Sequence, residues 1–529
     1  MPRSRSHESM PATLGLLRAS GYRERSVKDE IRENLRRRLA EGGPLFPGIL
    51  GYDRTVVPQI TNALLARHDF ILLGLRGQAK TRILRQLVDL LDDWLPVIRG
   101  SDVNESPFAP FTARSLDLLA ERGDDLEIDW VPRSARYQEK LATPDVTIAD
   151  LIGDVDPLKA ARDRLSLSSQ EAILYGILPR TNRGIFAINE LPDLQPRIQV
   201  GLLNILEEKD IQIRGFPVRF PMDLLLVFSA NPEDYTNRGS IITPLKDRID
   251  SQIITHYPHD LETAAAITAQ EAWVDRDDVQ TQLPPVVREI VEEISFQARG
   301  SEMVDQSSGV SARLSIAALE SVVSSMERRA IATNEPMWPR IVDLEAAIPA
   351  ITGKIELVYE GEQEGVLGVA RNLVGAAVKA VFMRTFPDAY ASDPGSAAQR
   401  GNRPGSRGHY EARTEKARAV SGGDQEGDGN EGAEDRWYKP VLDWFATKHR
   451  VEIGELTTES EHRGALGKVP GLVEVAREFG QPDGLAEEAL WMELVLEGLA
   501  QRSLVGKEDA VTGALYLDML GSMFDELGG

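Results

Sequence analysis

Residues 71–82 read Ile71-Leu72-Leu73-Gly74-Leu75-Arg76-Gly77-Gln78-Ala79-Lys80-Thr81-Arg82, an apolar run that passes directly into a glycine-containing turn closing on Lys-Thr. The pattern approaches G-x-x-x-x-G-K-S/T, in which backbone N–H groups curl around phosphate oxygens, the lysine reaches the outer phosphates and the hydroxyl ligates Mg²⁺. Gly74, Lys80 and Thr81 stand where that chemistry needs them, whereas Ala79 occupies the place of the second glycine. Candidate nucleotide contacts are therefore Gly74, Gly77, Gln78, Ala79, Lys80, Thr81 and Arg82, with Thr81 also a metal ligand. A plain strand-to-helix turn could carry the same glycines, so the reading depends on what lies downstream.

Two further apolar runs end in polar residues. Gly184-Ile185-Phe186-Ala187-Ile188 delivers Asn189-Glu190, and Leu224-Leu225-Leu226-Val227-Phe228-Ser229-Ala230 delivers Asn231-Pro232. In nucleotide hydrolases with a phosphate loop the first pair is normally Asp-Glu, the Asp holding the Mg²⁺ shell and the Glu orienting the attacking water. Glu190 keeps the second role, while Asn189 removes one negative charge from beside the cation and retains an oxygen that can accept hydrogen bonds from its water ligands. Weaker Mg²⁺ affinity is expected, and a slow or inactive nucleotide-binding module is the alternative. Asn231 is placed to sense the outer phosphate, because ligands of open α/β sheets bind at the carboxyl ends of the strands. Taken singly, Asn189-Glu190 could be a polar strand end and Asn231-Pro232 a turn.

The chain has 529 residues, more than one hydrophobic core accommodates, so two to four domains are expected. Apolar residues make up 42% and charged residues 27%, a globular mixture, and no uninterrupted apolar run approaches the ~20 residues that span a bilayer. Arg3 and Arg5 are followed by no apolar segment of a secretory signal, and a cytoplasmic location is expected. The absence of cysteine excludes disulfides, thiolate metal sites and a cysteine nucleophile. A formal net charge of −23 argues against a protein that coats nucleic acid. The run Arg36, Arg37, Arg38 reads as a solvated face of a helix over 27–40.

Residues 1–45 read as a polar tail and one amphipathic helix, and Phe46-Pro47-Gly48-Ile49-Leu50-Gly51 opens the main domain. Over 46–255, strands at 70–73, 184–188 and 224–229 alternate with helical patterns, which implies a mainly parallel sheet covered on both faces. Residues 256–390 turn helical, with candidates at 261–272, 285–298, 312–332, 340–359 and 366–385. Residues 391–436 are dense in Gly, Ser, Asp, Glu and Arg and read as a disordered linker. Residues 437–529 regain helical periodicity at 485–499 and 510–524, with Trp437, Trp444 and Trp491 as core aromatics, and read as a small helical C-terminal domain.

The three strand ends in this order resemble AAA+ ATPases. The loop from Gly74 to Thr81 is similar to that of the MoxR group, in which alanine commonly replaces the second glycine. Leu151-Ile152-Gly153-Asp154-Val155-Asp156-Pro157-Leu158-Lys159-Ala160, Asn182-Arg183-Gly184 and the stretch from Phe46 to Gly51 resemble the ATPase subunit of magnesium chelatase. The resemblance covers about residues 45–330, just over half of the chain. It implies an α/β P-loop domain followed by a helical lid, ATP and Mg²⁺ as cofactors, ATP hydrolysis, and a ring of copies of the chain, hexameric in the family. It also implies that Arg248, in Pro244-Leu245-Lys246-Asp247-Arg248, is an arginine finger toward a neighbouring subunit, and that Arg313, in Ser311-Ala312-Arg313-Leu314, is a second sensor on the lid. A surface ion pair of Arg248 with Asp247 or Asp250, and a helix-start charge at Arg313, are the plain alternatives. A β-hairpin over 211–220 and an insertion into the preceding helix over 101–150, with Trp130 and Pro132, match places where relatives carry such elements, with simple surface packing as the alternative for either.

Other chemistries find little support. The seven histidines form no H-E-x-x-H, G-x-S-x-G is absent, and Asp305-Gln306-Ser307-Ser308-Gly309 breaks a D-x-S-x-S adhesion motif at its last position. Because ATPases of this group work with a von Willebrand A domain protein, the resemblance implies such a partner supplied in trans. The expected function is remodelling or activation of that partner. The alternatives are magnesium insertion into protoporphyrin IX as a chelatase ATPase subunit, and a nucleotide-gated scaffold with little hydrolysis.

Overall fold

Apolar residues on consecutive positions need cover on both sides, and the strands of this chain obtain it. The structure, a computed structural model, describes residues 10–162, 170–213, 219–231, 240–276, 283–387, 437–510 and 513–519, and the chain divides into two compact units, Met1–Tyr257 and Pro258–Gly529.

The first unit is built on a five-stranded sheet of β1 (Phe70–Leu73), β2 (Tyr137–Leu141), β3 (Gly184–Asn189), β4 (Leu224–Ala230) and β5 (Ser251–Ile254), ordered β5-β1-β4-β3-β2. All four pairings are parallel. Successive side chains of a strand point to opposite faces, and the core divides accordingly. Phe70, Leu72, Ile185, Ala187, Leu225, Val227 and Ile253 pack on one side, and Ile71, Phe186, Ile188, Leu224, Leu226 and Phe228 on the other. The three central strands are those expected from sequence. The two edge strands are not, because Tyr137-Gln138-Glu139-Lys140-Leu141 is largely half-exposed, Ser251-Gln252-Ile253-Ile254 buries only Ile253, and both carry polar residues, as edges do.

Residues 101–150 are not an insertion within one helix. They contribute β2 to the main sheet, a helix at Ala113–Arg122, and Ile128–Pro132, which pairs antiparallel with Trp94–Ile98. A separate two-stranded ribbon joins Gly153–Val155 to Ile173–Tyr175. The expected hairpin forms its base, Asp210–Gln212 against Arg219–Pro221 with Ile211 opposite Phe220, and its tip at 214–218 lies outside the described residues.

At the amino ends of the strands, buried charges tie the helix Val27–Glu41 to the sheet. The fully buried Arg136 guanidinium donates to both Glu30 carboxylate oxygens at 2.7 Å. Asp69, 1% exposed, accepts from the Leu226 N–H at 2.9 Å and pairs with Lys28 at 2.8 Å and Lys209 at 3.1 Å.

The second unit is mainly helical. Leu261–Glu271, Pro285–Gly300, Arg313–Thr333 and Val366–Thr385 match the expected helices. The expected helix over 340–359 breaks into the 3-10 turn Ile341–Ala347 and the short helix Ile348–Thr352, which starts with Pro349 in its first turn and ends at Gly353. Val366–Thr385 is, by length and composition, apolar enough to cross a membrane, with half of its apolar window buried inside the protein. Its residues Val369, Leu373, Val378 and Phe382 belong to one core shared by residues between 283 and 386 and between 438 and 516. Leu485–Ala500 is helical as expected. The helix expected over 510–524 is not formed by its described part: Gly506–Ala510 and Gly513–Leu517 are antiparallel strands beside Val451–Gly454. There the burial of Ala514 and Tyr516 follows a period of two, and Gly513 has φ +148°, which a side chain rarely adopts. Residues 391–436 and 520–529 lie outside the described residues.

Candidate nucleotide site

Register along the sheet aligns the carboxyl ends of β1, β4 and β3. Leu73 stands opposite Ala230, and Phe228 opposite Ile188. The Gly74 N–H donates to the Ala230 carbonyl at 3.1 Å. With adjacent strands ~4.8 Å apart, the loop after β1, Asn231 after β4 and Asn189-Glu190 at the end of β3 occupy one edge of the sheet.

The loop is fixed from below. A Cβ on Gly74 would lie 1.9 Å from Thr255 Oγ1 and 2.1 Å from Gln78 Oε1, so only glycine fits there. The Thr255 hydroxyl, just past β5, donates to Gln78 Oε1 at 2.6 Å, and its N–H donates to the Leu73 carbonyl at 2.7 Å. The Tyr52 hydroxyl lies 2.8 Å from the His256 carbonyl and 3.1 Å from that of Gln78. Burial pushes its pKa up to about 12, so it stays a proton donor. His256 Nδ1 lies 2.8 Å from the Tyr257 carbonyl, and Nε2 lies 2.8 Å from the Thr55 hydroxyl. The Tyr257 hydroxyl donates to the Arg76 carbonyl at 2.8 Å.

Gly77 and Ala79 both have positive φ, 75° and 56°. Ala79 therefore adopts the left-handed conformation that a glycine would take at lower cost, a strain of ~1–2 kcal/mol, and the helix Lys80–Gln86 starts immediately after it. Lys80 is buried, with Nζ donating to the carbonyls of Leu75, at 2.9 Å, and Gly74. Thr81 is half-buried and Arg82 exposed.

On β3, Asn189 is 8% exposed and its Oδ1 accepts from the Ser229 hydroxyl of β4 at 3.1 Å. Ser229 Oγ in turn accepts the Glu190 N–H at 3.4 Å. Glu190 has φ 55°, a strained backbone for a non-glycine residue and one that concentrates at functional sites. Ser229, Thr255, Tyr52 and His256 were not singled out from the sequence. Ser229 alone left a signal, as the one hydroxyl in an apolar run.

Arg248 ends the helix Thr243–Arg248 and pairs with Glu207, rather than with Asp247 or Asp250. Asp250 instead accepts the Asp69 N–H at 2.8 Å. Arg313 is exposed at the start of Arg313–Thr333 in the second unit, its N–H donating to Ser311 Oγ at 3.2 Å.

No family model matches the chain. It is similar to the chloroplastic magnesium-chelatase subunit ChlI of Oryza sativa subsp. indica, 26% identical over 248 residues, 44% of this chain and 54% of the relative. The magnesium-chelatase 38 kDa subunit of Cereibacter sphaeroides is 26% identical over 237 residues, 44% and 64% of the two chains. The resemblance to the ATPase subunit of magnesium chelatase read from the sequence is thus shared with these named subunits. The chain spans between about half and two thirds of the length of these curated relatives. A solved complex of the BchI and BchD subunits of magnesium chelatase overlaps this chain with 18% identity and a TM-score of 0.32, covering 60% of this chain and 98% of the other. The fold stands on the parallel sheet order and the strand-end residues themselves.

Proposed function

We propose that this chain is an AAA+ ATPase of the MoxR and magnesium-chelatase group that binds and hydrolyses ATP with Mg²⁺, assembles with copies of itself into a ring, hexameric in the family, and uses the cycle to remodel or activate a partner, a von Willebrand A domain protein supplied in trans. One observation carries the reading: three adjacent parallel strands present the 74–82 loop, Asn231 and Asn189-Glu190 along the same sheet edge.

The residues present suit a nucleotide with a divalent cation. Gly74 lacks room for a side chain, Gly77 and Ala79 turn the loop by positive φ, and Lys80 lies against the loop's own carbonyls. Lys80 would move from those carbonyls to the outer phosphates, with Gly74, Gly77, Gln78, Ala79 and Arg82 around them. Thr81 would hold the cation, helped by Asn189. Among the described residues no group of three His, Asp or Glu could hold a metal ion, and Mg²⁺ usually takes only one or two protein ligands beside phosphates and waters. When bound, the cation neutralises charge developing on the phosphoryl oxygens. Glu190 orients the attacking water, Asn231 senses the γ-phosphate, and Arg248 of one subunit reaches the nucleotide of the next. Arg313 contributes from the lid.

Steady-state ATPase measurements with and without Mg²⁺ test the proposal. Lys80→Ala is expected to abolish nucleotide binding, and Glu190→Gln to retain ATP without turnover. Equal turnover in both variants and the wild-type chain would defeat the assignment. The names of the relatives favour a second reading, an ATPase subunit that drives magnesium insertion into protoporphyrin IX. The change in porphyrin fluorescence on metal insertion, with chelatase partner subunits supplied, separates the two.

A further inference from the structure

We propose that Glu207 is a positioning residue for Arg248, setting the guanidinium that completes a neighbouring subunit's site; this rests on the assignment of Arg248 given above. Glu207 is the last residue of Leu203–Glu207, and Arg248 the last of Thr243–Arg248. Glu207 Oε2 lies 2.7 Å from Arg248 Nε and 2.6 Å from Nη2, and Nη1 donates to the Pro244 carbonyl at 3.0 Å. A guanidinium has five N–H groups in one plane. These contacts use three of its nitrogens yet leave N–H groups on Nη1 and Nη2 for phosphoryl oxygens. The plane of the fork is thus set before a neighbour arrives.

Stability does not account for the pair. The Glu207 side chain is 56% exposed and that of Arg248 30% exposed, and exposed ion pairs add little to folding. What the pair supplies is order. An unrestrained arginine at the end of a short helix samples many rotamers, and a charge-stabilising group off by about 1 Å can cost up to ~100-fold in rate. The opposite role is also chemically possible, with Glu207 holding Arg248 away from its target, and the sign of the effect on rate tells the two apart.

The test is ATPase kinetics on the full chain with Glu207→Gln, Arg248→Ala and the double variant, alongside thermal unfolding. Glu207→Gln is expected to lower kcat about tenfold, to leave KM for ATP within about twofold, and to unfold at the wild-type temperature. The double variant is expected to be no slower than Arg248→Ala alone, because Glu207 acts only through the arginine. An unchanged or raised kcat in Glu207→Gln, or losses that multiply in the double variant, overturns the positioning role while leaving Arg248 in place. Wild-type kcat in Arg248→Ala instead overturns the finger assignment, and this inference with it.

Discussion

Ser229 donates its hydroxyl proton to Asn189 Oδ1 at 3.1 Å across the β4–β3 pair. The hydrogen bond takes one of the two lone pairs of the amide oxygen and leaves the other for a water of the cation's shell. The expectation of weak Mg²⁺ binding therefore rests on the missing charge and on an amide oxygen shared with Ser229.

Asn189→Asp follows directly from this pair. A carboxylate at 189 would keep the Ser229 hydrogen bond with one oxygen and turn the other, with its charge, toward the cation. Residues around a metal's ligand shell commonly change affinity by about 10- to 100-fold. The Mg²⁺ concentration for half-maximal ATPase is expected to fall about tenfold in Asn189→Asp, and an unchanged Mg²⁺ titration would remove Asn189 from the metal site.

Gly74→Ala tests the floor of the loop. The added methyl would meet Thr255 Oγ1 and Gln78 Oε1 at distances no packing tolerates, breaking the hydrogen bond between them. Overpacking of this kind costs ~1–3 kcal/mol. ATP affinity, measured with a fluorescent analogue, is expected to drop at least tenfold, and Thr255→Ala in the same chain is expected to recover part of the loss. Wild-type affinity in Gly74→Ala would show that the loop does not hold the phosphates in this conformation.

The central strands were legible in the sequence because Phe70–Leu73, Gly184–Asn189 and Leu224–Ala230 are short, bounded runs apolar on both faces, which suits strands of a sheet covered on both sides. The edges were not, since Tyr137–Leu141 has one neighbour strand and keeps Glu139 and Lys140 partly in water. The residues that shape the loop from outside it, Thr255 and Tyr52, were invisible for another reason. Their roles depend on contacts with Gln78 from 177 and 26 residues away, and no local pattern encodes such a distance. The strand Gly513–Leu517 lies within the helix expected over 510–524, because helix and strand periods are hard to separate over short apolar runs.

Arg136→Ala addresses the opposite end of the sheet. The substitution would leave Glu30 buried, with the Asp92 N–H at 2.6 Å as a remaining donor. Breaking a buried pair from one side costs about 3–5 kcal/mol, whereas replacing both partners by apolar residues can be neutral. Urea unfolding is expected to show that loss for Arg136→Ala and little of it for Glu30→Leu with Arg136→Met. Equal losses in both would mean that shape, not charge pairing, holds the helix Val27–Glu41.

Glu292 gives the second unit a pH dependence. Burial raises its pKa above the usual carboxylate value, against hydrogen bonds from Thr268 and Ser315 and the Arg299 charge that act to lower it. Between the ordinary glutamate pKa, about 4.3, and the raised value, the folded chain holds a proton that the unfolded chain has released. Stability therefore falls as pH rises through that window, and the loss is complete above the raised pKa. Glu292→Gln removes the titration, so its melting temperature relative to wild type is expected to be higher at pH 8 than at pH 4.5. A difference between the two proteins that stays constant across this range would show that Glu292 ionises at the same pH folded and unfolded.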